Sequence, residues 1–159
     1  MHSATKNNLE QLTGIQQYKD ACIVIVKTEW NSHITNVLEA SCIATLQQHQ
    51  VTNILQYTVP GAVELPFAIR SIVHTASQKI DAVIAFGCVI KGGTPHFEYV
   101  CQSVTQGITT LNLTLQMPII FGILTVDYED QALARIKPNS GNKGNEAAIT
   151  ALKMLAYKL

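Results

Sequence analysis

Asp81-Ala82-Val83-Ile84-Ala85-Phe86-Gly87, with Gly92-Gly93-Thr94-Pro95-His96-Phe97-Glu98-Tyr99-Val100 close behind it, decides the fold of this chain. The first run is apolar throughout and reads as a buried strand over 82–87. The second opens a helix over about 95 to 116, because Phe97, Val100, Val104, Ile108 and Leu111 recur at helical spacing. A buried strand leading into a helix is half of a βαβ unit. The turn between them also carries chemistry. Two glycines let the backbone approach a ligand closely and adopt conformations other residues avoid. Thr94 suits an N-cap and Pro95 the first helical position. The first turn of a helix offers unpaired N–H groups and the positive end of its dipole, which favour an anion. His96 adds a titratable imidazole at the same place. Together these features point to a catalytic site for a phosphorylated small molecule.

The same alternation extends outward. Upstream, Ala21-Cys22-Ile23-Val24-Ile25-Val26 reads as a buried strand, and Trp30-Asn31-Ser32 as a loop. Ile34, Val37, Leu38, Cys42 and Leu46 predict a helix over 32–49, capped by Asn31 or Ser32. A strand over 53–59 is stopped by Pro60-Gly61, and Leu65, Ile69 and Ile72 mark a helix with Pro66 in its first turn. Downstream, a strand runs from Pro118 to Val126. A short helix carries Ala132, Leu133 and Ile136, and a last helix begins near 143. Residues 1–20 lack a clear period and read as an N-terminal arm or tail, with one domain over 21–159. The connections are too short for a second domain. The expected fold is α/β: a three-layer α/β/α sandwich around a four-stranded parallel sheet, flavodoxin-like, which an N-terminal strand could extend. Ligands of such sheets bind outside the carboxyl ends of the strands. The loops 27–32, 59–65 and 87–96 leave those ends and bring Trp30, Asn31, Gly61, Glu64, Gly93, Thr94 and His96 to one edge.

Composition narrows the partners. The chain has 159 residues, 47% apolar and 14% charged. About 25% charged is usual, so part of the surface is expected to be covered by other copies of the chain. Eleven basic and eleven acidic residues leave no net charge, and no basic run supports nucleic-acid binding. The four cysteines form no Cys-x-x-Cys pair or zinc pattern, so no metal is expected. No signal-like segment and no run of roughly 20 apolar residues is present, so a cytoplasmic protein without a membrane partner is expected. A receiver-type signalling domain would need an acidic cluster after the first strand, and Lys27-Thr28-Glu29-Trp30 provides none.

Five pieces in order carry a family resemblance: Trp30-Asn31; Val59-Pro60-Gly61-Ala62-Val63-Glu64-Leu65-Pro66; Gly87 to Val100; Phe121-Gly122-Ile123-Leu124-Thr125; and Gly141-Asn142-Lys143-Gly144. Over about residues 21 to 157 the chain resembles lumazine synthase, the penultimate enzyme of riboflavin biosynthesis. The resemblance implies condensation of 5-amino-6-(D-ribitylamino)uracil with 3,4-dihydroxy-2-butanone 4-phosphate, releasing phosphate and water, with no cofactor. The alternative on the same fold is an inactive flavin-binding or storage protein.

The resemblance also assigns roles. His96 is the catalytic proton donor or acceptor; read without it, His96 serves hydrogen bonding at a helix start. Gly93, Thr94 and Arg135 hold the phosphate, although Arg135 also complements the dipole at the end of a short helix. Trp30, where Phe is usual, stacks on the pyrimidine with a larger face. Asn31 lines the same site. Ala62, Val63 and Glu64 bind the ribityl chain, with Glu64 otherwise a helix cap. Cys88, Val89 and Ile90 meet the pyrimidine edge through backbone groups. Cys88 departs from the common Thr, and nothing in the sequence makes it a nucleophile. Phe121, otherwise a core aromatic, reaches the site of a neighbouring subunit. Lys143, otherwise a solvated lysine, lies near the pyrimidine. The implied partners are the small-molecule substrates, further copies of the chain and riboflavin synthase. The implied assemblies are a pentamer, a decamer or a sixty-subunit icosahedral shell. Arg135 to Gly141 carries no insertion, which favours the shell, while Pro138 departs from the usual run there.

Overall fold

The computed structural model describes residues 18–138 and 141–157. Four parallel strands form one sheet in the order β2-β1-β3-β4: β1 (Cys22–Thr28), β2 (Asn53–Val59), β3 (Ala82–Ile90) and β4 (Ile119–Val126). The helices are α1 (Ser32–Gln48), α2 (Leu65–Thr75), α3 (His96–Thr114), α4 (Glu129–Ala134) and α5 (Lys143–Met154), with a single 3₁₀ turn at Ala62–Glu64 before α2. This is the expected three-layer sandwich. The expected N-terminal arm, and any strand it adds, lies almost wholly outside the described residues. Tyr18 is already buried in the core, so the packed body begins before residue 21.

Alternation along the buried strands builds two cores. Ile23 and Ile25 of β1, Ile84 and Phe86 of β3, and Ile120 and Leu124 of β4 meet α1 through Leu38 and Cys42 and α5 through Ala148 and Leu152. Val24 and Val26, Val83 and Ala85, and Ile119 and Ile123 meet α2 through Leu65 and Ile69 and α3 through Val104 and Ile108. Each fully buried side chain of this size contributes roughly 1.5–3 kcal/mol.

Two boundaries differ from expectation in ways that matter at the site. The third strand does not stop at Gly87. It continues through Cys88, Val89 and Ile90, because β4 pairs with it in register from Val83↔Ile119 to Ile90↔Val126. The turn after it is accordingly shorter. Thr94 is also not the cap of α3. Pro95 holds that position with helical dihedrals (φ −63°, ψ −2°), and no side chain caps the helix.

Candidate active site

A cleft of about 510 Å³ opens at the carboxyl ends of β1, β2 and β3. Its cause is a divergence of backbones. β1 pairs with β3 only as far as Lys27↔Phe86, but with β2 as far as Thr28↔Val59. The chain after β1 then keeps to β2: the Glu29 N–H donates to the Val59 carbonyl at 2.8 Å and the Trp30 N–H to the Pro60 carbonyl at 3.1 Å. The last residues of β3 are therefore left without a strand partner on the β1 side. This is the crevice where the strand order turns, the usual ligand site of an open parallel sheet. Trp30 and Asn31 line it from β1, Ala62, Val63 and Glu64 from the turn after β2, Cys88, Val89 and Ile90 from β3, and His96 and Val100 from α3.

The walls are held by specific bonds. Thr28 Oγ1 donates to the Trp30 carbonyl at 3.1 Å, and Thr35 Oγ1 to the Thr28 carbonyl at 2.9 Å. Both threonines are buried. Trp30 stands 74% exposed over the cleft, an aromatic face open to a ring-shaped ligand. Gly61 lies beneath it. A Cβ there would come within 3.1 Å of Glu64 Oε2 and 3.8 Å of Trp30 Cδ1. Gly61 is extended (φ −147°), so alanine fits its backbone without strain and the effect is steric alone. Gly61→Ala is expected to raise the KM of the ligand under Trp30 about tenfold while leaving Tm unchanged, as one misplaced methyl does in a pocket. Steady-state kinetics beside a thermal melt check this. Glu64 does not cap α2: it makes no capping bond through its side chain, which stays with the cleft.

His96 opens α3 and is exposed on the cleft wall. Gly93 and Thr94 lie two and three residues before it in the exposed turn, outside the cleft lining. The expectation that Gly92 and Gly93 adopt conformations closed to other residues is not met, because neither has a positive φ. A Cβ on either would meet nothing within 4 Å, so the turn leaves open space above the start of α3.

Phe121 and Lys143 are not in this cleft. They line a second groove of about 570 Å³ along β4, the sheet edge, with Asn112, Glu146 and Thr150. Phe121 is not a core aromatic: it is 42% exposed on that edge. Lys143 pairs with Glu146 at 2.6 Å. Arg135 closes α4, and its Nη1 donates to the Gln131 carbonyl at 2.7 Å. The Arg135 carbonyl in turn accepts the Lys143 N–H at 2.9 Å, which ties it to the groove side. One chain thus separates the predicted residues into two groups.

Comparison with known proteins identifies the family. The family model for 6,7-dimethyl-8-ribityllumazine synthase matches residues 20–158. Proteins of that name are 49% identical in Parabacteroides distasonis, over 85% of this chain and 84% of theirs, and 50% identical in Porphyromonas gingivalis, over 86% and 84%. In Cytophaga hutchinsonii the identity is 42% over the full length of both chains. The chain belongs to the lumazine synthase family. It is therefore an enzyme of riboflavin biosynthesis, a transferase, and the storage alternative is not favoured.

Two local features of this lumazine synthase family member follow from its packing. Cys88 is 5% exposed, and burial, with Glu129 adding negative potential, pushes its thiol up to about 11. It remains a protonated thiol at neutral pH and is no nucleophile. Alkylation by iodoacetamide at pH 8 is expected to be on the order of a hundredfold slower at Cys88 than at free cysteine, and to quicken about tenfold per pH unit until it levels off near that value. Peptide mapping against time measures this. The Gly141 to Gly144 motif proves architectural as well. Gly141 is left-handed (φ 76°). The buried Asn142 caps α5 by accepting from the Gly144 N–H at 2.8 Å, and donates to the Ile136 carbonyl at 2.7 Å. Sequence reasoning took Asn142 only as part of the family motif and missed its capping role, although an Asn just before a helix is the usual signal for a cap. It also missed Thr28 and Thr35, which stand next to other polar residues, Lys27 and Glu29 for the first and Asn36 for the second, and so carry no mark of burial. No helix among the described residues is long and apolar enough to cross a membrane.

Proposed function

We propose that this enzyme forms 6,7-dimethyl-8-ribityllumazine from 5-amino-6-(D-ribitylamino)uracil and 3,4-dihydroxy-2-butanone 4-phosphate in a pocket built by two copies of the chain. The observation that carries this reading is the separation just described: an open cleft with His96, and an edge groove with Phe121 and Lys143 and Arg135 beside it. In this reading the groove side of one copy closes the cleft of the next. Trp30, with Asn31 next to it in the wall, stacks on the pyrimidine, the end of β3 at Cys88 to Ile90, free on the β1 side, meets its edge, and Ala62, Val63 and Glu64 surround the ribityl chain. Gly93 and Thr94, with Arg135 from the neighbour, hold the phosphate. The amine adds to the ketone and one water leaves, phosphate is eliminated, and the second ring closes with loss of a second water. His96 carries protons between these steps.

Further support comes from large apolar side chains left in the open by a single chain, such as Phe67 at 79% and Leu113 at 82% exposure. Rings of five in the cytoplasm, alone, paired as decamers or closed into a shell with riboflavin synthase as a partner, would cover them. A complementation experiment tests the shared pocket. His96→Ala and Phe121→Ala chains are each expected to be weak as pure assemblies. Assembled together, they create junctions where an intact His96 cleft meets an intact Phe121 edge, and activity returns. No recovery in a verified mixed assembly contradicts the shared pocket.

A further inference from the structure

The cleft crosses the gap between β1 and β3, and one side chain bridges that gap. Asn31 Nδ2 donates to the Cys88 carbonyl at 2.8 Å. The carbonyl lies on the part of β3 that β1 no longer pairs, two residues beyond the last paired position, Phe86. The Asn31 amide therefore takes the place a further residue of β1 would have filled. Alternate residues of a strand turn their backbone polar groups to the same neighbour. Ile90 thus faces the same gap as Cys88, and its groups remain for a ligand.

Asn31 reaches this position only because its backbone is left-handed (φ 57°, ψ 43°). Asparagine tolerates that conformation better than most residues. It is also the residue next to Trp30, whose N–H and carbonyl are both fixed, to Pro60 and Thr28. Asn31 thereby joins the indole, on the β1–β2 side of the cleft, to the backbone of β3 on the other. Expected from family resemblance as a residue that lines the substrate, it has one N–H of its amide committed within the protein.

We infer that Asn31 is a positioning residue: its bond to Cys88 sets the gap between the Trp30 face and the β3 backbone, and so the fit of a flat heteroaromatic ring held between them. This rests on the pyrimidine-binding role given to the cleft above. Two variants test it in the intact assembly. Asn31→Asp keeps the shape and the tolerance of the left-handed backbone but replaces the donor with an acceptor facing the Cys88 carbonyl. Asn31→Gly keeps the backbone and removes the side chain.

The readouts are the anisotropy of Trp30, the only tryptophan in the chain, without substrate, and the KM of each substrate. Lower Trp30 anisotropy in both variants is expected, with the pyrimidine KM raised roughly five- to tenfold and the KM of the phosphorylated ketone unchanged; one hydrogen bond accounts for a change of this order. Unchanged anisotropy overturns the inference whether or not KM rises, since a raised KM alone would mean that Asn31 touches the substrate directly. An equal rise in both KM values also overturns it. A wild-type chain that forms no lumazine would refute the synthase reading, while the substrate-free anisotropy would still decide the role of Asn31.

Discussion

Replacing His96 with alanine is expected to lower kcat by about 10²–10⁴-fold, the range for loss of one positioned acid/base group, while KM for both substrates stays within a few-fold. The geometry separates the two effects. Trp30, Glu64 and the end of β3 build the floor and far wall of the cleft without help from His96. The imidazole stands at the start of α3, beside the open turn of Gly92 to Thr94 that we propose holds the phosphate. It is exposed, so its removal leaves no cavity in either core and the fold is expected to persist. Rapid-quench or steady-state kinetics, with mass and circular dichroism of the variant as controls, decide the matter. An unchanged kcat would remove His96 from the chemistry. A collapse in KM alone would make it a binding residue.

The second large effect concerns stability. Gly144→Ala is expected to lower Tm by roughly 4–8 °C. A Cβ at Gly144 would lie 2.2 Å from the Leu38 carbonyl oxygen and 3.0 Å from its carbon. The obstacle is the backbone of α1, which cannot rotate away as a side chain can. Overpacking of this kind costs typically up to about 3 kcal/mol. Alanine returns at most about 1 kcal/mol through its better helix propensity. The net loss is about 2 kcal/mol, and a domain of this size loses roughly 2–4 °C for each. The same contact fixes α5 against α1 at the end of the helix that bears Lys143. A melt within 1 °C of wild type would show that the two helices separate more easily than this account allows.

Most of the sheet and its helices were legible because apolar runs and helical spacing are local signals. The β1, β2 and β4 regions and the last helix lie where the pattern puts them. The end of β3 was not legible. Gly87 read as a stop, yet it sits inside the sheet opposite Ile123, and pairing with a strand far along the chain carries β3 on to Ile90. Pairing across the sheet leaves no mark in the strand itself. The convergence of Trp30, Glu64 and His96 on one cleft followed from strand order alone. The position of Phe121 in β4, away from that cleft, followed from strand order too, but its exposure did not, because an apolar run does not say which of its side chains lie on an open sheet edge. The turn before α3 was half legible: open and glycine-lined as expected, but not capped by Thr94 and not left-handed. The Asn31–Cys88 bond, between residues 57 apart in sequence, left no trace at all.

We propose that lumazine forms in a pocket that no single chain completes. The most direct measurement mixes both substrates with purified protein of known mass, following lumazine absorbance and light scattering on the same sample across a dilution series. Lumazine formation by assemblies of five chains or multiples of five is expected, with activity falling in step as they dissociate. Full activity in a monomer would contradict it, as would an intact assembly that forms no lumazine.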